Sequence, residues 1–195
     1  FVIRAKKLLK KLPRPDMLYI TSTPLTTGLF GLWAKKEMAL PYVFEVRDLW
    51  PDAPIQVGAI KNPLLKNLLY ALEKRIYKHA LKCIALSPGI ADAIRKRTET
   101  PIYIVPNFGD TVYFTPEKKD PQLLSKLNLK DNFTILYAGA IGQVNAVDEL
   151  LDIAKVAMDK GKDYQFLIMG KGSQLPSLLR KAEKLELNNF RFFDF

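Results

Sequence analysis

Short apolar runs alternate with amphipathic segments along the chain, and the two patterns predict strands and helices in succession. Tyr42–Val46, read as Tyr-Val-Phe-Glu-Val, is apolar, aromatic and β-branched, which suits a strand buried in a parallel sheet. Runs at 17–20, 83–86 and 102–105 predict neighbouring strands. In the second half Phe133–Ala138, read as a buried strand, is followed by strands at 165–169 and Phe190–Phe193. Between strands the apolar period becomes helical. Over 63–81 it falls on Leu64, Leu65, Leu68, Leu69, Leu72, Ile76 and Tyr77, with Lys66, Lys74, Arg75 and Lys78 interspersed. Further helices are predicted at 1–12, ended by Pro13 and Pro15, at 25–38, after Ser87-Pro88, at 120–127, at 147–159 and at 173–185, the last capped by Ser173. This alternation predicts an α/β fold of parallel sheets with right-handed crossovers. Pro, Asn and Gly gather at 107–115, which predicts two domains, 1–108 and 109–195.

Charge reinforces that division. The net charge is +10, and residues 109–195 carry twelve basic and twelve acidic side chains, so 1–108, with eighteen against eight, hold the whole excess. A basic half faces anionic lipid, nucleic acid or phosphorylated substrates, with a merely solvated surface as the competing account. Its cations lie on helix faces without an interleaved aromatic platform, so no nucleic-acid partner is expected. No apolar run approaches the roughly 20 residues of a membrane span. One cysteine and one histidine, Cys83 and His79, cannot build a zinc site between them. Cys83 sits in an apolar run and reads as a buried small hydrophobe, in keeping with a reducing, cytoplasmic compartment. The chain opens on Phe1 without a signal-peptide pattern and reads as an internal fragment. The sequon at Asn132-Phe133-Thr134 is read as chance.

Candidate chemistry lies just past the strands, where open α/β sheets bind ligands. Arg47, Asp48 and Asp52 follow Tyr42–Val46 around Trp50-Pro51. They read as a reactive cluster, with Arg47 keeping Asp48 ionised, or as a structural ion pair of Arg47 and Asp48. Gly139 and Gly142 follow the strand Phe133–Ala138, and Gly170-Lys171-Gly172-Ser173 follows the next one. Such loops let backbone N–H groups approach phosphate, and a helix N-terminus and Lys171 would add positive charge. Two on adjacent strands point to a nucleotide or diphosphate. A third fingerprint glycine is missing, as are a P-loop and a nucleophile elbow.

Phe44-Glu45-Val46-Arg47-Asp48-Leu49-Trp50-Pro51-Asp52 resembles the post-strand motif of bacterial GT-B glycosyltransferases of group 1, or family 4, above all those building O-antigen, capsule and colanic acid. In family order follow Thr23-Pro24-Leu25-Thr26-Thr27-Gly28-Leu29, Ala85-Leu86-Ser87, Val105-Pro106-Asn107, Leu136-Tyr137-Ala138-Gly139, Ile168-Met169-Gly170-Lys171-Gly172 and Asn188-Asn189-Phe190-Arg191-Phe192. The resemblance implies a GT-B-like architecture, two partial Rossmann-like parallel-sheet domains facing each other. The first would take a lipid-linked or saccharide acceptor and the second a nucleotide-sugar, a UDP-sugar. It implies retaining, metal-independent transfer of a hexosyl or N-acetylhexosaminyl group without a cofactor, in cell-surface polysaccharide synthesis. Asp48 would be the acid/base or acceptor-orienting group, with Arg47 beside it and Asp52 behind, and Thr23, Thr26 and Thr27 would line the acceptor side. Gly139, Gly142, Gln143, Asn145, Gly170, Lys171 and Gly172 would hold the donor. Many relatives place Arg and Lys where this chain has Ala140 and Asn145, so backbone N–H groups, Gln143, Asn145 and Lys171 would carry the diphosphate. The enzyme would be cytoplasmic and peripheral to an anionic inner membrane face, and the fragment alone inactive. The alternative is a non-catalytic basic membrane-peripheral or scaffold fragment with a degenerate site.

Overall fold

The structure, a computed structural model, describes residues 1–194; Phe195, the last residue of the second expected domain, lies outside the described residues. The chain forms two compact units, Phe1–Thr111 and Val112–Phe195. The first contains a four-stranded sheet in the order β1 (Leu18–Thr21), β2 (Tyr42–Val46), β3 (Lys82–Ala85), β4 (Ile102–Ile104), and the second a three-stranded sheet, β5 (Phe133–Ala138), β6 (Tyr164–Met169), β7 (Phe190–Phe193). Among the described residues all five strand pairings are parallel. The alternation of strand and helix read from the sequence therefore holds in both units.

In the first unit α1 (Val2–Leu9) precedes β1, and α2 (Gly28–Met38), α3 (Asp52–Gln56), α4 (Pro63–His79) and α5 (Pro88–Arg95) join the strands. Strand residues alternate between faces, so Ile20, Tyr42, Phe44, Val46, Cys83 and Ala85 share one face and form the core with Ile76, Tyr77, Ala91 and Ile94. Buried Tyr42 donates its phenol to the Ile76 carbonyl at 2.6 Å, tying β2 to α4. Cys83 is fully buried, and burial pushes its thiol up to about 12. Asn62 caps α4 by accepting from Leu64 and Leu65 N–H, with Pro63 at the first helical position. Ser87 caps α5 in the same way through Ile90 N–H.

The second unit adds α6 (Pro121–Lys126), α7 (Glu149–Asp159) and α8 (Leu175–Lys184). Ile135, Tyr137, Phe166, Ile168, Phe190 and Phe192 face Leu151, Ala154, Leu178 and Ala182. Two local expectations change, and one helix is added. Phe133–Ala138 is not buried: it is an edge strand paired only with β6, and Leu136, on the face away from that core, is 57% exposed. The helix expected from Ser173 begins at Leu175 and has no side-chain cap, because Gln174 N–H bonds to the Ile141 carbonyl at 3.0 Å and holds the preceding residues in a loop. The short helix α3 was not signalled by any periodic apolar pattern, being a single turn.

Two glycines set how closely α2 approaches its neighbours. A Cβ on Gly28 would lie 2.4 Å from Ile76 Cδ1, and one on Gly31 would lie 2.8 Å from Ile20 Cδ1 and 2.9 Å from the Tyr42 ring. Overpacking of this kind costs about 1–3 kcal/mol. Gly31→Ala is accordingly expected to lower the chemical-unfolding midpoint clearly. Gly89→Ala in α5, where a Cβ meets nothing within 4 Å, is expected to leave it equal or higher, since alanine is the better helix former by about 1 kcal/mol.

Candidate functional site

The carboxyl ends of β1 and β2 lie in register, with Thr21 opposite Glu45, and side chains stitch their loops together. Ser22 is buried; its N–H donates to the Glu45 carbonyl at 2.7 Å, and its Oγ accepts from Arg47 N–H at 2.9 Å. Thr23 Oγ1 donates to Asp48 Oδ2 at 3.2 Å. Thr27 Oγ1 donates to the Thr21 and Pro24 carbonyls, both at 3.0 Å, and anchors the start of α2. Thr26 lies exposed in the 3₁₀ turn Leu25–Thr27 and, with Thr23 and Thr27, lines a cavity of about 770 Å³ beside β1.

Arg47 does not pair with Asp48. Its Nη1 lies 3.9 Å from Glu45 Oε2, because residues two apart on an extended strand share a face and Arg47 continues the side of Glu45. Tyr19 joins that side: partial burial raises its phenol, and Glu45 raises it further. Asp48 turns away, exposed, with the Thr23 hydroxyl on one oxygen and no hydrogen bond to the other among the described residues.

Asp52 is engaged elsewhere. Tyr70 donates its phenol to Asp52 Oδ1 at 2.6 Å, and Arg97 Nη2 bonds Oδ2. Through Nη1 the same guanidinium bonds Glu73, which is only 1% exposed. Burial pushes the Glu73 carboxyl up, and Arg97 pulls it part of the way back. Both Asp52 oxygens thus serve a clamp joining α3 to α4 and to the segment after α5, and Asp48 is the carboxylate left open at this edge. Sequence reasoning missed Ser22, Tyr70 and Arg97. Arg97 is one cation in the run Arg95-Lys96-Arg97, and no spacing marks it as the one that turns inward.

In the second unit the loops after β5 and β6 are joined by backbone. Gly139 N–H donates to the Met169 carbonyl at 3.0 Å, Ile141 N–H to Lys171 at 2.9 Å and Gln174 N–H to Ile141 at 3.0 Å. The glycines of the second loop serve this contact. A Cβ on Gly170, at φ +154°, would lie 1.9 Å from the Gly139 oxygen, and one on Gly172 would lie 2.1 Å from the Ile141 oxygen. A Cβ on Gly139 or Gly142 would meet only the Tyr137 side chain or Asn145 Oδ1, each at 3.1 Å. The N–H groups of Ala140 and Gly142 make no hydrogen bond among the described residues. Gln143 and Asn145 are exposed beside them. Lys171 Nζ lies 3.5 Å from Asp194 Oδ1, with both side chains solvated. Below the first loop a cavity of about 180 Å³ is lined by Gly142, Gln143, Asp148, Gln174 and Lys181. Lys181 bonds Asp152 at 2.8 Å and the Asp148 carbonyl at 3.0 Å, and hydrogen bonding to Asp152 raises its ammonium. No sequence motif pointed to Lys181.

Residues 1–107 match the description of the glycosyl transferase 4-like domain. The chain belongs to this family. Its fold is that of GT-B glycosyltransferases, as several solved structures show. Sucrose-phosphate synthase from Thermosynechococcus elongatus is 17% identical with a TM-score of 0.77, over 100% of this chain and 48% of its own. The Anabaena protein HepE in complex with UDP-glucose is 15% identical with a TM-score of 0.71, over 100% and 51%. WaaG, a glycosyltransferase involved in lipopolysaccharide biosynthesis, is 16% identical with a TM-score of 0.62, over 97% and 51%. The chain therefore spans about half the length of these proteins. No match is found among curated protein sequences.

The clamp gives a pH-dependent expectation. Arg97→Met leaves the buried Glu73 unpaired, and breaking such a pair costs about 3 kcal/mol. Because burial raises the Glu73 carboxyl above its ordinary value of 4.5, the folded variant binds a proton that the unfolded chain releases. The stability deficit should therefore be smaller at low pH and grow as pH rises through the raised folded value. Urea unfolding of parent and variant at pH 5 and pH 8 measures this.

Proposed function

We propose that the chain is part of an enzyme moving a hexosyl or N-acetylhexosaminyl group from a UDP-sugar to a lipid-linked or saccharide acceptor in cell-surface polysaccharide synthesis. The observation that carries this is Asp48, which stands with one open oxygen past β2, in a domain of the glycosyl transferase 4-like family. The first unit takes the acceptor, with Thr26 and Thr27 beside the cavity at β1. The second unit takes the donor; the UDP-glucose named in the HepE complex supports a UDP-sugar.

In this reading the acceptor oxygen forms the new bond to the anomeric carbon as the bond to the diphosphate breaks, with retention and without a metal ion. Asp48 takes the acceptor's proton, a task worth ~10²–10⁴-fold when the base is well placed. Arg47, turned to Glu45, fixes the strand end from which Asp48 departs, and Asp52 holds the following turn. The departing diphosphate meets the N–H groups of Ala140 and Gly142, with Gln143, Asn145 and Lys171 around it. Lys171 is the cation free to exchange a weak solvated partner for phosphate. Gly139, Gly170 and Gly172 keep the two loops close enough to present these groups together.

The basic excess of the first unit supports an anionic membrane face as the place of action, on the cytoplasmic side. Lys74, Lys78 and Lys96 line one groove and have no acidic partner among the described residues, and Leu64, Leu65 and Leu68 stand exposed on α4. Lys6 and Lys10 lie over the Trp33 ring, at 5.3 and 5.8 Å, which leaves Lys7 and Lys11 for the surface. Among the described residues no helix is long and apolar enough to cross a membrane.

Asp48→Asn in the full-length enzyme is expected to lower kcat by ~10²-fold or more with little change in donor KM or melting temperature. Normal turnover below an early melting point would instead make Asp48 structural, whereas a parent without turnover would favour the non-catalytic alternative. The chain is also expected to co-sediment with anionic vesicles and to be released by salt, each basic contact being worth about 1 kcal/mol. Equal binding to neutral vesicles would remove the membrane from the reading.

A further inference from the structure

Thr23 is the one residue at the β1 edge whose backbone is strained: its φ is +101°, a region that β-branched residues avoid and glycine enters freely. Packing of its side chain does not compensate, because Thr23 is exposed. The chain is held on both sides of it. Ser22, buried, is bonded to Glu45 and Arg47 on β2 and its extension. Pro24 accepts from the Thr27 hydroxyl at 3.0 Å and from Thr27 N–H at 3.1 Å. Between these anchors the side chain makes one directed contact, Oγ1 to Asp48 Oδ2 at 3.2 Å. Strain over-determined by its surroundings is characteristic of sites where geometry serves function.

We propose that Thr23 is a positioning residue: its hydroxyl, fixed by the strained backbone, sets the rotamer of Asp48 so that the other carboxylate oxygen faces the acceptor. The proposal rests on the reading of Asp48 as the reacting carboxylate. Asp48 is exposed and Arg47 does not hold it, so without Thr23 nothing else described in the structure would select one of its rotamers. The Oδ2 that accepts from Thr23 is occupied, and this divides the carboxylate into a tethered oxygen and a free one. A hydroxyl donor suits this task because it orients the group and leaves its negative charge in place. Glycine would relieve the backbone and lose the tether, so fold stability and site order call for different residues here.

The test compares Thr23→Val, Thr23→Ser and Thr23→Gly with the parent. The first readout is the set of three-bond couplings of Asp48 about χ1, measured by NMR on this chain without ligand. The parent and Thr23→Ser should show one rotamer, and Thr23→Val and Thr23→Gly should show averaging. Thr23→Gly should also melt no lower than the parent, whereas a merely structural threonine would cost stability when removed. The second readout is UDP release by the full-length protein supplied with a membrane lipid extract as acceptor and with UDP-glucose, UDP-galactose or UDP-N-acetylglucosamine as donor. With the accepted donor, Thr23→Val should lose about ten- to a hundred-fold in kcat with donor KM unchanged, and Thr23→Ser should restore most of it. Averaged couplings in the parent, or a single rotamer in Thr23→Val, overturn the proposal. Release of no UDP by the parent from any of the three overturns the UDP-sugar reading and leaves the couplings to judge Thr23 separately.

Discussion

Parallel pairing is the constraint on which the rest depends. Parallel strands need a crossover between them, and the crossovers bring every strand's carboxyl end to the same edge of its sheet. In the first unit this puts Ser22 and Thr23 beside Arg47 and Asp48, residues about 25 positions apart in sequence. The hydrogen bonds between them are short extensions of the β1–β2 ladder, made by side chains where the backbone ladder stops. In the second unit the same arrangement sets residues 139–142 against 170–174, and there the backbone itself continues the contact past the strand ends.

Electrostatics at the first edge sorts four acidic groups into three arrangements. Glu45 continues strand alternation and meets Arg47; Asp52 and Glu73 share Arg97; Asp48 has only a neutral donor. A buried carboxylate demands a cation and hydrogen bonds, and Arg97 with its fork of donors satisfies two carboxylates from two elements at once. The cation serves the fold, and the exposed carboxylate accepts only from a hydroxyl. An open and a clamped acid thus lie within one short motif.

The fold was legible because its elements have strong periods. Tyr42–Val46 and the α4 segment contain enough apolar residues in register to override any local ambiguity. Asn62-Pro63 and Ser87-Pro88 mark helix starts by chemistry that needs no tertiary context. The placement of the candidate residues was legible in outline, since charged or glycine-rich residues following a strand fall at the carboxyl edge of any such sheet. Its internal wiring was not. Adjacent residues Arg47 and Asp48 suggested a pair, but extended backbone sends neighbours to opposite sides. Gly172 suggested room for a ligand, whereas the space is filled by the neighbouring carbonyl of Ile141. The burial of Phe133–Ala138 failed for a related reason, because composition reports apolar character without saying which strand lies at an edge.

The bonded loops after β5 and β6 have a consequence for how such a protein changes over time. Two segments that share three backbone hydrogen bonds, and tolerate no Cβ at two facing positions, behave as one inherited part. Lengthening one loop would break the bonds to the other, so insertions are steered to neighbouring turns such as 143–148, outside this contact. Anyone grafting either loop from a relative would have to transplant both segments together, as a cassette.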